Sequence, residues 1–237
     1  MELVILVRVQ APEPNCSPNS LENPTMHNPP HEPSAEKETG RLEAFSDGVF
    51  AIAITLLVLE LKVPNLAAGA VTPAALAKGL LQQWPSYIGL ATSFFTILIM
   101  WVHHHGIFRN IYHTDAWLHF ANGCLLLMVT FVPYPTSVLA AYLKTPAAEM
   151  AMVFYSGTFV MIAVCFYLVI VAGFRKKLLA PSASMEFVNK TCRSYRYGPP
   201  LYLVATLAAL VDVRLSLAIC TGLWIFWATT ITKNTAA

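Results

Sequence analysis

From Ala44 to Leu61 the chain carries only two charges, Asp47 and Glu60, one near each end of an apolar run. A helix crosses a bilayer core with about 20 predominantly apolar residues, so this run qualifies when its ends dip into the interface. It opens with Arg41-Leu-Glu-Ala-Phe-Ser-Asp-Gly48, which sets a cation, a hydroxyl and a carboxylate at its mouth. Polar groups at such depth are costly and usually face the interior of a bundle. The plainer alternative is a helix start: Ser46 or Asp47 as the cap, with Asp47 suited to the positive end of the dipole. Composition agrees with a membrane protein. Hydrophobic residues make up 56% of the chain and charged residues 12%, where a soluble domain usually carries about 25% charged residues. A net charge of +2 makes no case for nucleic acid.

Residues 1–40 are a different kind of chain. Seven prolines among many Asn, Ser and Glu cannot bury enough apolar surface to fold alone, so this stretch is expected to be a disordered tail. Beyond it, residues 41–233 are expected to form one six-helix transmembrane domain. The apolar runs after the first fall at about Trp84–Val102, Trp117–Leu139 and Ala148–Phe174. The run from Leu201 to Thr232 is too long for one crossing and is interrupted by Asp212-Val-Arg214. It reads as a hairpin, with a fifth helix over about 195–211 and a sixth over about 215–230. Pro199 and Pro200 start or kink the fifth. The five cysteines show no metal-ligand spacing and read as small buried hydrophobes.

Lys and Arg collect in cytoplasmic loops. With six spans and both termini in the cytoplasm, only Lys62, Lys78, Lys144 and Arg214 fall outside, and the other eleven of the 15 cations fall inside. The basic 174–198 loop decides this, and orientation explains it without a need for anionic lipid contacts. The sequons at Asn15 and Asn189 fall on the inner side, where neither is glycosylated. This topology brings Asp47 to the level of His103 and His104 on helix 2. Arg41 lies six residues before Asp47, not the three or four that put side chains together on a helix. Asp47 is therefore expected to find its partner on another helix, among the histidines and Arg109. Three consecutive histidines point about 100° apart and cannot all reach one ion, so no metal is expected. A proton relay from Asp47 to a histidine remains open.

Phe45, Gly48, Ile52, Thr55 and Leu59 follow a 3–4 spacing along helix 1. The residues alone leave two readings open: an interhelical seam, or the lining of a pore. No Thr-Val-Gly-Tyr-Gly filter occurs, so such a pore would narrow at aliphatic rings.

Arg-x-x-x-Phe-Ser-Asp-Gly entering the first span resembles the signature of the transmembrane-protein-175 family of endosomal and lysosomal potassium channels and their prokaryotic relatives. Trp101-Val-His-His104, Ile107-Phe108, Asp115, Asn122 and Pro133-Tyr-Pro-Thr136 are further matching pieces, and the resemblance covers about 41–232. It implies an all-α homotetramer of six-span subunits with helix 1 lining a central pore. It implies a constriction at Ile52, Thr55 and Leu59, with Leu56 beside the path. The cluster of Arg41, Phe45, Ser46, Asp47, Gly48, His103 and His104 then braces helix 1 instead of binding ions. The implied function is a potassium channel of the cell membrane with a modest preference for K+ over Na+, needing no cofactor. The alternative is a proton-coupled transporter or proton channel using Asp47 and the helix-2 histidines. An enzyme is not expected, because no nucleophile or metal set accompanies Asp47 and the histidines.

Overall fold

The structure, a computed structural model, describes residues 38–66, 71–175 and 177–235, with side chains described as far as 230. Cys16, the Asn15 sequon and nearly all of the Pro-rich stretch lie outside the described residues. Regular structure among the described residues is helical. It consists of α1 (Gly40–Leu56) with a 3₁₀ turn (Leu57–Glu60), α2 (Pro73–Gln82), α3 (Trp84–Phe108), α4 (Ala116–Phe131), α5 (Pro133–Tyr142), α6 (Ala148–Gly173), α7 (Met185–Arg196), α8 (Gly198–Ala209) and α9 (Val213–Thr235).

Among the described residues, five stretches are long and apolar enough to cross a membrane: Gly40–Glu60, Trp84–Phe108, Ala116–Tyr142, Ala148–Gly173 and Val213–Thr230. The third is α4 and α5 joined at Pro133, whose ring removes one backbone donor and breaks the helix there. In α6, 56% of the apolar window is buried, against 11% in α9. α6 is therefore the central helix, packed against α4, α5, α7, α8 and α9, while α1 packs on α3 and α4, and α3 on α5. On the far side of the core α3 approaches α5 closely. A Cβ on Gly89 would lie 3.2 Å from the Thr136 methyl, and Ser93 meets the Thr136 hydroxyl at 2.7 Å.

The structure differs from the sequence reading at several points. Ser46 and Asp47 do not start α1, which begins at Gly40 and leaves both well inside the helix. The 174–198 segment is not a plain loop. It folds into α7, capped by Ser184 and burying Val188, Thr191 and Tyr195 on one face, with its charges on the other. The helix expected over about 195–211 is α8, which is shorter, follows a break at Tyr197 and has Pro199 and Pro200 in its first turn as expected. At 12 residues α8 is ~18 Å long, shorter than a bilayer core. α2, which the sequence reading left out, is capped by Thr72, whose hydroxyl accepts from Ala75 N at 3.1 Å, and has Pro73 in its first turn. Of the cysteines, Cys165 is buried but Cys124 is exposed.

One end of the bundle is tied by short loops. Ile111 pairs with Leu179, through Tyr112 N to Leu178 O at 2.8 Å and Ala180 N to Asn110 O at 2.9 Å. Glu38 reaches across to the same loop, accepting from Thr114 N at 3.1 Å and pairing with His113 at 3.1 Å. Asp115 caps α4, accepting from Leu118 N at 2.9 Å, and lies 3.1 Å from Arg175 and 3.5 Å from Lys177. The Leu118 N–H, followed by the two cations, holds the Asp115 carboxyl below the usual carboxylate range.

Losing that cap is expected to cost about 1 kcal/mol in Asp115→Ala, and less in Asp115→Asn, because Asn also caps. The folded carboxyl titrates below its unfolded value of about 3.9, so its charge stabilises fully above that pH. That stabilisation is lost as pH falls through the lower folded value. Thermal unfolding in detergent should show both variants less sensitive to acid than wild type. An Asp115→Ala protein that melts like wild type at pH 7 would contradict the capping role.

Candidate functional site

α1 has two faces. Ser46, Phe50, Ala53 and Leu57, at steps of four, three and four, are buried. They seat the helix against α3 and α4. The opposite face is left open by its own subunit: Phe45 is 64% exposed, Ile52 58% and Leu59 66%. Gly48 and Thr55 are exposed beside them. Thr55 sits toward one flank, in a groove with Leu90 and Phe94 of α3. Its hydroxyl donates to the Ile52 carbonyl at 2.9 Å, the kind of back-bond that bends helices. The chain tightens to 3₁₀ geometry one residue after Leu56. Residues three apart eclipse in a 3₁₀ turn. The tightening therefore turns Leu59 toward the line of Leu56.

The buried face carries a polar chain between helices. The Ser46 hydroxyl donates to Leu42 O at 2.8 Å and accepts from Asn122 Nδ2 at 2.9 Å. Asn122 Oδ1 in turn accepts from His104 Nε2 at 2.8 Å. All three residues are buried. The His104 ring stacks on Phe108 at 4.3 Å and tilts against Phe50 at 5.3 Å, so packing fixes its plane.

Asp47 does find its partner on another helix, but the partner is neither a histidine nor Arg109. Trp101 Nε1 donates to its carboxylate at 2.8 Å. An indole N–H only donates, so this bond passes no proton onward, and no hydrogen bond links Asp47 to a histidine among the described residues. The reason is rotation about α3. Trp101 and His104 lie three apart and share the side facing α1, whereas His103 is turned about 100° away. His103 meets the backbone O of Trp227 at 3.1 Å and the Tyr195 ring, on the α9 side. Arg41 and Arg109 are exposed and form no ion pair among the described residues. The structure therefore joins Ser46 with His104 and Asp47 with α3. It separates Arg41, Phe45, Gly48 and His103 from that network. The candidate set drawn from the sequence lacked Trp101 and Asn122. The signal for Asn122 was its position as the lone amide in an apolar run.

Comparison with known proteins fits this arrangement. A sequence model of the endosomal/lysosomal potassium channel TMEM175 matches residues 41–133, from Arg41 to the proline that starts α5. The chain is 48% identical over 194 residues to a potassium channel of Chamaesiphon minutus, across 81% of this chain and 95% of that protein. It superposes with a TM-score of 0.73 and 45% identity on the crystal structure of a lysosomal potassium-selective channel TMEM175 homolog from Chamaesiphon minutus, covering 81% of this chain and 97% of that one. The human endosomal/lysosomal proton channel TMEM175 is 26% identical over 210 residues, which is 75% of this chain and 40% of the human protein. The protein is a member of the TMEM175 family, whose relatives named above are ion channels and not enzymes.

Asn122→Leu should strand the buried His104 Nε2, whereas Ser46 keeps its bond to the Leu42 carbonyl. Each buried group left unpaired costs about 1–3 kcal/mol. Thermal unfolding of the purified variant should show a loss in that range. Trp101→Phe removes only the donor to the part-buried Asp47 and should cost less. A smaller loss for Asn122→Leu than for Trp101→Phe would contradict this ranking.

Proposed function

We propose that the protein is a potassium channel in which the exposed face of α1 lines a central pore. The observation that carries the reading is the open stripe itself. An apolar face left bare by its own subunit, on the helix that carries the family's signature, needs a partner. Four copies around an axis would supply one, with rings of Ile52 and Leu59 as the constriction, Thr55 between them and Leu56 beside the path. The naming of the Chamaesiphon minutus relative as a potassium channel supports K+ as the permeant ion. Dehydration at the aliphatic rings would give K+ a modest preference over Na+, and closure of the rings would dewet the pore. No cofactor enters conduction.

In this reading α8, extended by the end of α7, makes a short fifth crossing between α6 and α9. Residues 41–233 then form a six-span channel domain in the cell membrane, surrounded by lipid, with the Pro-rich 1–40 segment as a tail outside it. The cations near the tied end, among them Arg41, Arg109, Arg175 and Lys177, favour placing that end and both termini in the cytoplasm. The Ser46–Asn122–His104 chain and the Asp47–Trp101 bond would hold α1 at the right depth.

Proton conduction is the second reading, favoured by the name of the human relative, a proton channel. The bond from Asp47 to an indole N–H argues against a route that runs from Asp47 to a histidine.

The test is current from purified protein in planar bilayers as K+ is exchanged for Na+. Wild type should carry K+ in steps of many ions per opening. Ile52→Asn should shift the reversal potential toward equal K+ and Na+ permeability, because an amide ring lowers the dehydration barrier. Unchanged selectivity in well-assembled Ile52→Asn protein would remove Ile52 from the pore. Slow saturable flux in wild type would replace the channel by a carrier.

A further inference from the structure

At the tied end of the bundle a cleft of about 640 Å³ opens between the end of α3, α7 and α9. Arg109 and Lys190 line it, opposed by Glu186 alone, so its walls are net positive. Neither cation forms an ion pair among the described residues. Ser182 and Ser194 add hydroxyls to the same walls.

The cleft does not end in polar chain. His103, Tyr195 and Trp227 are shared with a second cavity of about 50 Å³, enclosed by α3, α6, α8 and α9, whose other walls are chiefly aromatic and aliphatic. Tyr195 stands at the junction and is 8% exposed, and its hydroxyl has no hydrogen-bond partner. The buried indole N–H of Trp224, on the wall of the second cavity, has none either. Buried donors are rarely left unmade, and the Tyr195 hydroxyl between the two cavities calls for an acceptor from outside the chain.

Free cations at the mouth, an orphaned hydroxyl at the neck and a chiefly apolar pocket behind it match one ligand chemistry: an anionic head joined to an acyl chain. α3 and α9 are both apolar enough to span, so a cleft at their ends lies at headgroup level. We propose that this cleft binds one anionic phospholipid. Its phosphate sits between Arg109 and Lys190, and the Tyr195 hydroxyl donates to a phosphate or ester oxygen. The second cavity is small and takes only the first carbons of one chain. The remainder lies along α9, where Ile225 and Phe226 are exposed. This site is independent of the pore, and its test reads lipid binding, not current.

The test uses full-length protein in phosphatidylcholine vesicles doped with brominated lipid, because bromine quenches tryptophan and Trp227 lies in the site. Brominated phosphatidylglycerol should quench at lower mole fraction than brominated phosphatidylcholine, and the double variant Trp224→Phe, Trp227→Phe should remove most of that difference. In the double variant Arg109→Gln, Lys190→Gln the half-quenching mole fraction should rise roughly thirtyfold. Tyr195→Phe keeps the ring and its packing and should raise it about tenfold. Equal quenching by the two brominated lipids in wild type, a result that needs no variant, would overturn the proposal. Inorganic phosphate that displaces the brominated lipid as effectively as unbrominated phosphatidylglycerol does would also overturn it, because the site would then take a free anion without a chain.

Discussion

A hydroxyl, an amide and an imidazole, all buried, tie α1 to α3 and α4. Ser46, Asn122 and His104 come from three different helices and meet in hydrogen bonds of 2.8 to 2.9 Å. In an apolar bundle such groups have no water to fall back on, so sliding α1 by one residue or rotating it would strand the Asn122 amide N–H. Aliphatic packing from Phe50, Ala53 and Leu57 tolerates small shifts at little cost. The polar chain does not. Asp47 adds a fourth fixed point through Trp101, near the same level. Everything proposed for the opposite face of α1 depends on this anchoring, because burying one face is what leaves the other bare.

The same logic accounts for the tied end. Glu38 and Asp115 hold the start of α1, the α3–α4 loop and the α6–α7 connection in one layer. Gly173 lies at the tightest point of this layer, where a Cβ would meet the end of the Ile111 side chain. α7 runs on from this layer with Val188, Thr191 and Tyr195 inward and its charges outward. It then gives way to the short, apolar α8 at the Gly198-Pro-Pro break. A positively lined cleft beside an apolar cavity follows from that change of character.

Much of this was legible in the sequence. The spans built on α3, α4 with α5, and α6 are long apolar runs ended by Pro, Gly or charge, and their signals are additive along the chain. α7 was not legible, because its apolar residues are few and a basic segment between two spans also reads as a loop. α2 has a cap and an N-terminal proline but only ten residues. The partner of Asp47 shows the deeper limit. Topology sets the depth of a residue from sequence, and depth alone made His103 and His104 candidates. Which side of α3 faces α1 is set by packing against α4, α5 and α9 together. That rotation gives Asp47 to Trp101, His104 to Asn122 and His103 to α9.

The central claim is that the face of α1 turned away from Ser46 and Phe50 lines the conducting path. Cysteine accessibility tests it most directly. A cationic methanethiosulfonate reagent would be applied to Ile52→Cys channels in planar bilayers, with wild type, which keeps its native cysteines, as the reference. The account predicts that current through Ile52→Cys channels falls irreversibly while wild-type current persists. Complete labelling of Ile52→Cys, verified by mass, with its current unchanged would contradict it.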